Sequence, residues 1–82
     1  EISPGRFLSL GMTGEDVNDL QQFLQAAAAL DPSLPAVQVT GEFDGPTETA
    51  VREIQTREGL PVNGVVGPLI WDRIVALSKA AS

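Results

Sequence analysis

Apolar residues recur at helical spacing in three stretches, and turns rich in glycine and proline separate them. Val17, Leu20, Leu24, Ala27 and Ala28 fall on one face of a 3.6-residue period, which predicts a helix from about Glu15 to Leu30. Thr13 stands where it caps that helix, and Asp16 three residues on completes a Thr-x-x-acidic box. Asp31-Pro32 ends the helix, since proline disfavours helical geometry in the residue before it. Val37-Gln38-Val39 reads as a very short strand or an extended link. A second helix is predicted from about Pro46 to Glu58, burying Ala50, Val51 and Ile54, with Gly59 as its terminating glycine. Gly67-Pro68 opens a third helix that runs to about Ser78, with Ile70, Ile74 and Leu77 inward and Trp71 beside them. The pattern is all-α: a small three-helix bundle. Residues 1–10, with Pro4-Gly5 and scattered apolar positions, are expected to be an extended lead-in to a single domain spanning 11–80.

The segments echo one another. Gly41-x-Phe43-x-x-x-Thr47 reappears as Gly64-x-Val66-x-x-x-Ile70, and Val17-x-x-Leu20-Gln21 as Val51-x-x-Ile54-Gln55. A turn-plus-helix unit used twice buries against its copy what neither could bury alone. Gln21 and Gln55 stand beside the apolar stripes at matching positions. A glutamine repeated there is expected to hydrogen-bond a neighbouring loop backbone, with ligand reading as the functional alternative.

Composition narrows the chemistry. The 82 residues contain no cysteine and no histidine, so neither a disulfide, a Cys/His zinc site nor a histidine-based nucleophilic dyad can be built. A formal net charge of -6 argues against nucleic acid and against an anionic membrane surface as partners. No apolar run approaches the roughly 20 residues of a membrane-spanning helix. With no initiator methionine and no signal peptide, the sequence reads as a piece of a longer protein. Asp31 and Glu42 have the spacing of the first and last ligands of a calcium loop, but Pro35 and Ala36 occupy positions that need a ligand and a glycine. Neither a metal nor any other cofactor is expected. The acids serve helix starts and solvated faces better than a catalytic carboxylate pair, and Gly11-x-x-Gly14 reads as a turn before a helix.

Taken in order, Leu10-Gly11-x-x-Gly14-x-x-Val17-x-x-Leu20-Gln21-x-x-Leu24, then Gly41-x-Phe43, Thr47-x-x-Ala50-Val51-x-x-Ile54-Gln55-x-x-x-Gly59-Leu60, and Gly64-x-Val66-Gly67-x-x-x-Trp71 resemble the small peptidoglycan-binding domains of bacterial cell-wall hydrolases. The lead-in and the Pro32–Pro35 insert look like the clostridial variant. The resemblance implies a non-catalytic module, extracellular or wall-associated, that tethers a linked catalytic domain to peptidoglycan. It also implies a shallow groove between the second and third helices, rimmed by the two turns, that holds a stem peptide or a glycan segment. Thr40, Asp44, Gln55, Asn63, Gly64 and Trp71 are the candidate ligand-binding residues. This chain departs from the family where Thr40 and Asn63 replace Asp, Asp44 replaces Gly, Ile70 replaces Thr and Ile54 replaces Phe. Those departures motivate an alternative, a protein-interaction or structural module that keeps the fold without the wall-binding site.

Overall fold

The computed structural model describes residues 7–79, so the Pro4-Gly5 part of the expected lead-in and the last residue of the expected domain lie outside the described residues. Three helices follow in order: α1 (Glu15–Leu30), α2 (Gly45–Arg57) and α3 (Pro68–Ser78). Among the described residues there are no strands beyond two isolated antiparallel bridges, Leu8 with Val66 and Thr13 with Glu42. The bundle is all-α, as the apolar periodicity predicts, and Val37–Val39 is an extended link.

α1 packs chiefly against α3, and α2 closes the bundle. Val17, Leu20, Leu24 and Ala27 from α1 meet Ala50, Val51 and Ile54 from α2 and Ile70, Trp71 and Ile74 from α3 in one core. Ala28 and Leu77, expected inward, lie at its edge, partly buried. Leu8, Phe43 and Val66, one from the segment that precedes each helix, are almost wholly buried and plug the end of the bundle where the turns gather. The Leu8–Val66 pair exchanges both backbone hydrogen bonds, at 2.9 and 2.8 Å, which pins the lead-in beside the start of α3.

The start of α1 differs from the expected Thr13 cap. Gly14 is the N-cap and no side chain caps the helix. The reason lies in the backbone: Thr13 is held in its bridge with Glu42, and the Gly14 N–H donates to Gly41 O at 3.1 Å. Helix can therefore begin only at Glu15. The intervening residue takes φ 130° and ψ −177°, a conformation that excludes side chains other than glycine's.

α1 stops before Asp31-Pro32 as expected, and the loop beyond it is fastened to α2. Asp31 accepts from Ser33 N–H at 3.1 Å and Ser33 Oγ at 2.6 Å, and Arg57 donates to its other oxygen at 2.6 Å. The Ser33 hydroxyl, with the Ser33 N–H and Arg57 in support, holds the Asp31 carboxyl below its usual value. The carboxylate that the calcium-loop spacing singled out is thus engaged in a clip between loop and helix. α2 ends in a Schellman arrangement at the predicted glycine, with Leu60 N–H donating to Gln55 O at 2.9 Å and Gly59 N–H to Thr56 O at 3.3 Å.

Candidate functional site

The two glutamines organise the two turns. Gln21, wholly buried, accepts through Oε1 from the backbone N–H groups of Thr40 (2.8 Å) and Gly41 (2.9 Å). Its Nε2 donates to Glu42 O at 2.8 Å, Thr47 Oγ1 at 3.0 Å and Thr40 Oγ1 at 3.3 Å. Gln55 repeats the scheme one unit later. Its Oε1 accepts from Asn63 N–H (3.1 Å) and Gly64 N–H (3.0 Å), and its Nε2 donates to Asn63 Oδ1 (2.9 Å) and Val65 O (3.1 Å). Both glutamines hold loop backbone, the structural role expected from their positions, and each satisfies polar groups that burial would otherwise leave unpaired.

The units diverge at the helix that follows each turn. In the first, Asp44 caps α2: its Oδ1 accepts from Thr47 N–H at 3.1 Å and Thr47 Oγ1 at 2.6 Å. In the second, Gly67 stands where Asp44 stands and Ile70 where Thr47 stands, so α3 has no side-chain cap and Gln55 has no hydroxyl below it. The first turn is closed by polar groups; the second is flanked by apolar ones.

The Thr47 hydroxyl, helped by the Thr47 N–H, holds the Asp44 carboxyl below the ordinary value of 3.8. A carboxyl depressed in the folded state stabilises the fold fully above its unfolded value, and this contribution is lost as pH falls through the folded one. Asp44→Ala is therefore expected to lower stability by about 1 kcal/mol near neutrality, the usual worth of an N-cap. Below pH 3.8 the difference from wild type should shrink, which paired thermal melts across pH would show.

A recess of about 230 Å³ opens at the second turn. Phe7 forms one side, Leu60, Pro61 and Val65 another, and Pro68, Leu69 and Ile70 of α3 a third, with Gln55 and Asn63 as the polar residues of the lining. Phe7 and Leu69 stay 64% and 58% exposed, large apolar surfaces turned to solvent at the mouth. Phe7 lies on Gly67 so closely that a Cβ there would come within 2.7 Å of the ring. No lining residue carries a charge.

Of the sequence-predicted residues, Gln55 and Asn63 meet at this recess, whereas Thr40 and Asp44 belong to the first turn. Gly64 is buried under α2, where a Cβ would come 2.9 Å from Glu48 Cγ. Trp71 is 4% exposed and meets Phe23 edge-on at 5.7 Å, so its ring is in the core and not presented to a ligand. The recess is bordered by the second turn alone, whereas the expected groove is rimmed by both turns. Phe7, Pro61 and Leu69 were missed by sequence reasoning. Their signal was apolar character off the buried stripes, visible for Leu69 directly before inward-facing Ile70. Among the described residues there is no group of three or more acidic side chains that could hold a metal ion, and no helix is long and apolar enough to cross a membrane.

Comparison with known proteins agrees with this architecture. Residues 13–74 match the family model described as "Putative peptidoglycan binding domain". The chain is 33% identical over 75 residues to an N-acetylmuramoyl-L-alanine amidase, CwlL of Bacillus licheniformis, covering 92% of this chain but only 20% of the amidase. It superimposes on the crystal structure of the N-terminal domain of SleB with a TM-score of 0.76 and 30% identity, covering 96% of this chain and all of that one. A peptidoglycan-binding protein from Clostridioides difficile, solved in complex with glutamine hydroxamate, gives a TM-score of 0.79 at 28% identity over 98% of this chain and 47% of its own.

Proposed function

Because the chain belongs to the peptidoglycan-binding domain family, a family of non-catalytic binding domains, we propose that it anchors a linked cell-wall hydrolase to its polymer through the recess at the second turn. The supporting observation is the divergence of the two turn-helix units. One is sealed by Asp44 and Thr47; its counterpart carries Gly67 and Ile70 and flanks an apolar recess with exposed Phe7 and Leu69. Phe7 and Leu69 bring two exposed apolar side chains together at one recess, the kind of patch that serves as a binding surface.

Tethering acts by concentration. A module held on an insoluble polymer keeps a linked catalytic domain near its substrate without contributing to the chemistry. The chain spans about a fifth of the curated amidase it resembles, so a wall-lytic domain elsewhere in the parent protein and a location at the cell wall are part of the proposal. With a net charge of -6, the chain gains little from long-range attraction to an anionic wall, and recognition rests on short-range contact at the recess.

Purified sacculi are expected to retain the wild-type domain on sedimentation, and Leu69→Asp to reduce retention by about tenfold through a charge placed in an apolar contact. Leu69 lies in the first turn of α3, where an acidic residue favours the helix, so the loss would report binding and not unfolding. A wild-type domain that stays in the supernatant would overturn the proposal and favour the interaction-module alternative.

A further inference from the structure

The side-chain amide of Asn63 has one end committed and one end free. Its Oδ1 accepts from Val65 N–H at 2.9 Å and Gln55 Nε2 at 2.9 Å. Backbone donors fix both orientations: Val65 N–H requires an oxygen from Asn63, and the Asn63 and Gly64 N–H groups require the oxygen of Gln55. Asn63 Nδ2 therefore faces away from this network and finds no acceptor among the described residues. The equivalent residue of the first unit leaves no such group, because the Thr40 hydroxyl donates to Glu42 O and accepts from Glu42 N–H and Gln21. Gln55 also borders the recess, but both hydrogens of its Nε2 are engaged.

We propose that Asn63 sets the polarity of what the recess takes: a short peptide segment with small aliphatic side chains, presenting a carbonyl or carboxylate oxygen to Asn63 Nδ2. This rests on the wall-binding reading and assigns the stem peptide, not the glycan, as the part of the polymer that is held. Complementarity carries the choice. An uncharged lining with a free side-chain amide donor, beside the uncapped N–H groups that open α3, matches an oxygen acceptor flanked by methyl-sized groups and offers no carboxylate to an ammonium group. A hydroxyl-rich sugar would give up many hydrogen bonds to water and regain few here, and each polar group left unpaired weakens binding. The apolar faces of Phe7, Pro61 and Leu69 gain only from a ligand that brings apolar surface to them.

The test is an NMR titration of the ¹⁵N-labelled domain with the two products of an amidase digest of sacculi: released stem peptides, and glycan strands freed of peptide. Stem peptides are expected to shift the amide signals of Asn63, Gly64 and Leu69 in a saturable way, and the glycan strands to leave them in place. Asn63→Asp keeps the inward oxygen but turns an acceptor toward the ligand, so it should weaken peptide binding by about tenfold or more. Its urea midpoint serves as the folding control. Phe7→Ala, a change at an exposed side chain, should weaken the same peptides should Asn63→Asp prove poorly folded. Glycan strands shifting these signals in place of peptides, or both variants binding peptide like wild type, would overturn the inference. Sacculus retention by the wild type in that case would leave the anchoring function standing, whereas absence of retention removes both.

Discussion

Gln21→Ala is expected to lower the unfolding free energy by about 3–5 kcal/mol, seen as a large drop in the urea midpoint with little change in slope. The substitution strands the N–H groups of Thr40 and Gly41, takes a donor from the buried Thr47 hydroxyl and from the Glu42 carbonyl, and leaves a gap at a residue that is itself wholly buried. Each buried polar group left without a partner costs about 1–3 kcal/mol, against a total stability of about 4–12 kcal/mol for a chain of this length. The loss is therefore a large share of what holds the fold together. Gln55→Ala should cost less, because Gln55 serves no buried hydroxyl like that of Thr47 and water can replace part of what its amide supplied to exposed Asn63. Equal, small effects below about 1 kcal/mol for both would show that the turns hold their shape without the glutamines.

That ranking explains why much of this fold was legible in the sequence. The α1 and α3 ranges follow from apolar spacing and from proline and glycine at their ends, because those residues act locally. The glutamines were legible as loop holders because a polar residue twice at the margin of an apolar stripe needs a partner beyond its own helix. Two features at helix starts were read differently. Thr13 looked like a cap, yet its bridge to Glu42, distant in sequence, moves the cap to Gly14. Asp44, a ligand candidate by resemblance, is also the cap of α2 through its spacing to Thr47, and the helix begins at Gly45 and not at Pro46. Of the recess only Gln55 and Asn63 were legible, and its apolar side was not. It exists because the Leu8–Val66 bridge brings Phe7 beside Gly67 and Leu69, and a pairing between two isolated residues leaves no periodic trace.

The second large effect is expected at Phe43, the largest of the fully buried side chains. Phe43→Ala should cost about 3–5 kcal/mol, since it removes the ring's burial and leaves a cavity that the surrounding helices close only in part. The backbone at this position cannot relax freely, because Phe43 N–H donates to Met12 O at 2.8 Å and Gly11 N–H donates to Phe43 O at 2.9 Å. Val66 is its counterpart in the second unit, also buried, and Val66→Ala should cost less because a smaller volume is removed. The comparison also tests how the two units depend on each other. Phe43 and Val66 belong to one core that all three helices share. Each variant should accordingly unfold in a single transition shifted as a whole, with circular dichroism and Trp71 fluorescence coinciding. Units stable on their own would instead give two separated transitions in Phe43→Ala, with the Trp71 signal lagging. Since Phe43 does not line the recess, the folded fraction of Phe43→Ala should still sediment with sacculi like wild type, which would separate the residues that hold the turns from those proposed to contact the wall.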